Sequence, residues 1–158
     1  MMFNRQILAG FIVENGIEAE ILRLEAETKT VAAAAAVLGV KPEQIIKSVL
    51  FLANGEPVVA IAGGQARIAW KRLADHLGIS RRRLKTAKAE QVLEITGYVV
   101  GSVPPFGHRQ PLRTVVDTAV YDQKTVYGGG GDIDALLRIE TAELRRVVGA
   151  ETANLSES

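Results

Sequence analysis

The chain has 158 residues, a mass of 17.0 kDa and a net charge of +1, which fits one domain able to bury a core without a covalent staple. Hydrophobic residues make up 47% and charged residues 23%, a soluble balance that excludes a disordered body. There are no cysteines and two histidines, His76 and His108. This excludes disulfides, thiolate nucleophiles, iron–sulfur clusters, cysteine zinc sites and a multi-histidine metal centre. No apolar run approaches the ~18 residues of a membrane span, and the polar-broken N-terminus is not a secretory signal. This composition is compatible with the cytoplasm.

The elements follow in chain order. Phe3, Ile7, Leu8, Phe11 and Ile12 recur at helical spacing, and Asn15-Gly16 supplies a stop. Residues 18–24 read as a strand. Thr30 is placed as the N-cap of an alanine-rich helix from Val31 to Leu38, closed by Gly39. Pro42 opens a short helix to Ile46. Residues 47–53 and 57–62 are strands joined by Asn54-Gly55, a strong hairpin signal. Both are almost continuously apolar, so both faces are expected to be covered. Trp70, Leu73 and Leu77 mark a helix ending at Gly78. A further helix spans 87–96, with Gly97 beyond it. Short strands are expected at 114–117, 125–127 and 136–139, and a last helix at 141–148. Residues 1–149 are read as one domain and 150–158 as a loose polar tail. Hairpins and helices interleave without regular alternation, so the expected class is α+β, with a curved, mixed or mainly antiparallel sheet and surrounding helices.

Charge is unevenly spread. Between Gln65 and Glu90 stand eight basic residues, Arg67, Lys71, Arg72, Arg81, Arg82, Arg83, Lys85 and Lys88, against two acidic ones. The net +6 there leaves −5 for the rest. Such a block is either a polyanion footprint or a solvated face.

The residue types leave few mechanisms. No G-x-S-x-G elbow, Walker loop or dinucleotide fingerprint is present. Lys47 stands where a short helix enters an apolar strand; it reads as an anchor for a phosphate or a developing oxyanion, or as a snorkelling lysine. The stretch Gly101-Ser102-Val103-Pro104-Pro105-Phe106-Gly107 combines glycines that let a ligand approach with prolines that fix the loop. It reads as a main-chain cradle for a carbonyl or oxyanion, or as a structural connector. Gly128 to Gly131 alone reads equally as a turn.

The ordered set of Thr30, Gly39-Val40, Ile45-Ile46-Lys47-Ser48, Thr96-Gly97-Tyr98, the 101–107 loop, Asp117 and the glycine cluster resembles the YbaK/prolyl-tRNA-synthetase-associated editing domains, over about residues 30–148. The resemblance implies a freestanding aminoacyl-tRNA deacylase without a cofactor. It would hydrolyse the ester of mischarged tRNA, often tRNA for proline carrying cysteine or alanine. Lys47 would be the key lysine, binding the terminal phosphate or the carbonyl region, and the main chain of Gly101 and Ser102 would hold the oxyanion. Thr30, Val103 to Gly107, Asp117, Gly129, Gly130 and Gly131 would bind substrate, and the basic segment would meet the tRNA. Partners would be mischarged tRNA and prolyl-tRNA synthetase. Two departures stand out. Ser102 replaces a glycine and is expected to narrow the approach, and Pro104 removes a backbone donor. A non-catalytic RNA- or nucleotide-binding module is the alternative.

Overall fold

The computed structural model describes residues 2–24 and 30–157. Among the described residues, eight strands and five α-helices follow in the order α1 (Arg5–Glu14), β1 (Ala19–Arg23), α2 (Val31–Leu38), β2 (Ile46–Ala53), β3 (Glu56–Gly63), α3 (Trp70–Leu77), β4 (Leu84–Thr86), α4 (Ala89–Thr96), β5 (Arg113–Asp117), β6 (Thr125–Gly129), β7 (Ala135–Glu140), α5 (Thr141–Val148) and β8 (Thr152–Ala153). The class is α+β, as expected. The strands form two sheets, one antiparallel in the order β1-β7-β6 and one mixed in the order β4-β2-β3-β5-β8. A parallel bridge from Ile45 to Tyr127 links them.

Local chemistry sets the element boundaries. Asn4 and Thr30 cap α1 and α2 by accepting from backbone N–H groups with their side chains. Gly39, Gly78 and Gly97 end helices in the left-handed region. Asn54 and Gly55, both at positive φ (54° and 86°), turn β2 into β3, as the right-handed strand twist requires of a two-residue loop. Residues 42–44 make only a single 3₁₀ turn instead of a helix reaching Ile46, because Ile46 already pairs with Gly63 in the sheet.

The five-stranded sheet is covered on both faces. Val59 and Ile61 of β3 join Ile46 and Leu50 in the core shared with the other sheet. Val58 and Ala60 join Phe51, Leu73 and Leu84 under α3. A smaller cluster, Ala34, Ala35, Ile45 and Tyr127, seats α2 over the junction of the sheets.

The C-terminal segment is a correction to the expected loose tail. Thr152 and Ala153 pair in parallel with Val116 and Asp117, and Leu155 is fully buried beside Phe51 and Leu73. A polar composition concealed one apolar anchor, and the open edge of β5 supplied the hydrogen-bond partners.

Candidate active site

Thr30, Ile46, Lys47, Ser48, Gly64, Gly101, Val103, Gly128 and Gly129 converge on one cavity of about 300 Å³, closed further by Val31, Ala34, Ile45 and Leu136. Its walls come from α2, the start of β2, the loop after α4 and the end of β6. This geometry exists because β4 pairs only with residues 51–53 of β2, leaving the strand's first half beside the loop.

Lys47 is half-buried at the rim. Its Nζ donates to the Ala66 carbonyl at 2.6 Å, and among the described residues no ion pair involves it. Burial lowers its pKa from the ordinary lysine value, because a cation loses hydration there. A tethered ammonium with no carboxylate partner among the described residues is well placed to meet an anionic or carbonyl oxygen.

The proline loop is clamped from behind. Ser102 gives both its N–H (3.0 Å) and its hydroxyl (2.7 Å) to the Val99 carbonyl. Two expectations change as a result. The Ser102 side chain folds back into its own turn and does not narrow the cavity, and its amide is already engaged and is not an oxyanion donor in this conformation. The Ser102 carbonyl accepts from Gly131 N–H at 3.0 Å. Across a trans peptide the next N–H points the opposite way, so the Val103 amide is directed away from Gly131, and Val103 lines the cavity.

The glycine run is backbone packing more than ligand contact. Gly128 and Gly129 belong to β6 and line the cavity. A Cβ at Gly129 would stand 2.2 Å from the Val103 carbonyl oxygen, and one at Gly130 2.6 Å from the Ala135 carbonyl carbon. Gly131, at φ +94°, lies against the backbone of Asn4 and Arg5. Gly130 and Gly131 are therefore outside the cavity.

Other sequence candidates are also dispersed. Pro104, Pro105, Phe106 and Gly107 are buried. Pro105 backs Gly128, while Phe106 stacks on Phe11 at 5.9 Å and does not line the Lys47 cavity. Asp117 is buried, and its carboxylate accepts from Leu155 N–H at 2.9 Å and from the Ser156 hydroxyl; it pins the C-terminus. Thr30 reaches the cavity, but its hydroxyl is committed to the Ala33 amide at 3.0 Å.

Sequence reasoning missed Ser48. Its hydroxyl is shut off from solvent without a partner among the described residues. Period-2 alternation could have put it on the Ile46 face, but nothing local marked that face as a cavity wall.

The basic segment divides. Arg72 binds the C-terminus through Asn154 (3.1 Å) and the Ser156 carbonyl (2.6 Å). Arg81 lies 4.1 Å over the Trp70 ring, Arg83 bonds Asn54 at 2.9 Å, and Lys71 pairs with Asp75. Arg67, Arg82, Lys85 and Lys88 are exposed. Lys85 sits opposite Leu52 in the β2 ladder, five residues or about 17 Å along the strand from Lys47. Arg67 adjoins Ala66, the partner of Lys47. Beyond the glycine cluster, Asp132 and Asp134 pair with Arg5 and Arg23.

Among the described residues no group of three or more His, Asp or Glu side chains could hold a metal ion, and no helix is long and apolar enough to cross a membrane.

Known proteins resemble this chain in sequence and fold. YwhH of Bacillus subtilis, itself uncharacterised, is 30% identical over 128 residues, 80% of each chain. The proline–tRNA ligase of Streptococcus suis is 35% identical over 107 residues, which are 67% of this chain and 17% of the ligase. The chain thus spans about a fifth of the ligases it matches. A crystal structure described, provisionally, as a trans-editing enzyme for prolyl tRNA synthetase superposes with a TM-score of 0.91 at 30% identity, covering 98% of this chain and 97% of that one. The family model for the aminoacyl-tRNA editing domain matches residues 25–147, and the chain belongs to that family.

Proposed function

We propose that this protein is an aminoacyl-tRNA deacylase acting in trans, hydrolysing the ester of tRNA for proline mischarged with alanine or cysteine. The observation that carries this reading is the position of Lys47: a half-buried lysine lining one cavity together with Gly101, Val103, Gly128 and Gly129. An aminoacyl ester is already activated, so positioning and oxyanion stabilisation suffice. Water or a hydroxyl of the substrate attacks the ester carbon. The Val103 amide and the Lys47 ammonium stabilise the oxyanion, the ester C–O bond breaks, and the ribose oxygen takes up a proton. Attack by water gives the free amino acid directly; attack by a neighbouring hydroxyl first moves the acyl group, which water then releases. The apolar walls formed by Val31, Ala34, Ile46 and Leu136 suit a small side chain. Arg67, beside the site, and Arg82, Lys85 and Lys88, farther along, would hold phosphates of the acceptor end.

The test is Lys47→Ala on a panel of alanyl-, cysteinyl- and seryl-tRNA. Loss of one oxyanion-type donor costs about 10²–10³-fold in kcat, and the fold should stay intact by circular dichroism. Turnover at the wild-type rate removes Lys47 from the mechanism. Salt-dependent RNA binding with no hydrolysis across the panel would favour the binding-module alternative.

A further inference from the structure

We propose that His108, outside the cavity, is a positioning residue: its imidazole fixes the proline loop so that the Val103 amide stays aimed at the bound ester. The role rests on the deacylase reading above but has a structural readout of its own.

His108 Nε2 lies 2.8 Å from the Pro104 carbonyl oxygen. A carbonyl only accepts, so Nε2 carries the proton. Pro104 is buried and its carbonyl precedes Pro105, whose nitrogen has no hydrogen. Without His108 this buried acceptor would lose the partner seen here, and an unmet acceptor is costly. The bond closes the turn from Pro104 to His108, in which both proline φ angles are already locked.

The second clamp is Tyr98. Its hydroxyl donates to the Gly107 carbonyl at 3.0 Å. The Tyr98 ring meets His108 edge-on at 6.4 Å and Phe3 edge-on at 5.5 Å. Together with the Gly131–Ser102 and Ser102–Val99 bonds, the carbonyls of Val99, Ser102, Pro104 and Gly107 are all held from within the protein. The Ser102–Val103 peptide, held at its carbonyl by Gly131, turns the Val103 amide the other way, and the His108 and Tyr98 bonds hold the turn that follows it. Burial also lowers the pKa of His108, which favours the neutral ring with its proton on Nε2.

The experiment compares His108→Gln, His108→Asn and His108→Phe. Gln can place an amide N–H near the Nε2 position, Asn falls short of it, and Phe keeps the ring packing against Tyr98 without the donor. Phe and Asn should lower kcat by about tenfold, equivalent to ~1.4 kcal/mol, with KM within about twofold; Gln should restore most of the rate. Amide hydrogen exchange at Gly101 and Val103 should speed up by about tenfold in Phe and Asn, whether or not any tRNA in the panel is a substrate. The ¹⁵N spectrum should show the Nε2-protonated tautomer at pH 7. Wild-type exchange and kcat in His108→Phe, a Gln variant as impaired as Phe, or the Nδ1-protonated tautomer would each overturn the proposal. A panel without turnover but with faster exchange in Phe would overturn the deacylase reading and leave the clamp standing.

Discussion

Replacing Gly129 by alanine tests how tightly β6 is seated on the proline loop. The φ of Gly129 lies outside the left-handed region, so the backbone admits alanine and only steric fit matters. The new Cβ would stand 2.2 Å from the Val103 oxygen, 2.6 Å from the Val103 carbon and 3.0 Å from the Ser102 carbon, where ordinary contact begins at 3.4 Å. All three are backbone atoms, so no side chain can swing aside, and the loop must retreat by about 1 Å. Overpacking of this kind costs about 1–3 kcal/mol, and loosening the Gly131–Ser102 bond adds about 1 kcal/mol. At roughly 2–4 °C per kcal/mol for a chain of this size, Tm should fall by about 4–16 °C. A 1 Å misplacement of reacting groups costs about 10²-fold in rate, so kcat on a mischarged tRNA should fall further than stability alone explains. Gly10 is the control. It is mid-helix, and a Cβ added there would meet nothing within 4 Å, so Gly10→Ala should raise stability by up to about 1 kcal/mol with turnover unchanged. Thermal melts and single-turnover deacylation read both variants. A Gly129→Ala protein with wild-type Tm and kcat would refute the packing argument.

Other parts of the structure give further expectations. Leu155→Ala should cost about 3 kcal/mol in urea unfolding, because Leu155 is fully buried; a loose tail would show no change. Reversing Arg82 and Lys85 to glutamate should weaken tRNA binding and lower the salt slope by about one for each phosphate no longer held, with the melting curve unchanged; an unaltered slope would remove these residues from the interface. Glu143 is held at about 2 by hydrogen bonds from Arg146 and from the Glu18 amide. Its folded pKa is below the unfolded one, so its stabilisation is full above about pH 4.5 and is lost as pH falls toward 2. Glu143→Gln should therefore trail the wild type at pH 7 and converge with it near pH 2 in acid-unfolding curves.

Much of the scaffold was legible because it is encoded locally. Thr30 caps α2, Gly39 ends it, and Asn54-Gly55 turns the hairpin, each through its own backbone chemistry. The continuous apolar runs of β2 and β3 correctly indicated cover on both faces. Within the site, Thr30, Lys47, Gly101, Val103 and Gly129 do share one cavity. The rest depends on partners far along the chain. Gly129 and Gly131 are indistinguishable as letters, yet one meets Val103 and the other Arg5. Asp117 looks like a ligand-binding carboxylate until residues 155 and 156 fold onto it. Ser102 is a substitution within a glycine-rich motif, and only its bond to Val99 shows that it turns away from the cavity.

The bridge between Ile45 and Tyr127 joins two sheets whose facing sides share one buried core. The cavity lies at this seam, with Ile46 on one side and Gly128 and Leu136 on the other. Its width is thus governed by how closely two slabs abut. Exchanging bulk at Leu136 or Ala34 would retune which acyl group fits while the lysine and the loop amides stay where they are, so selectivity and chemistry can diverge independently within one scaffold.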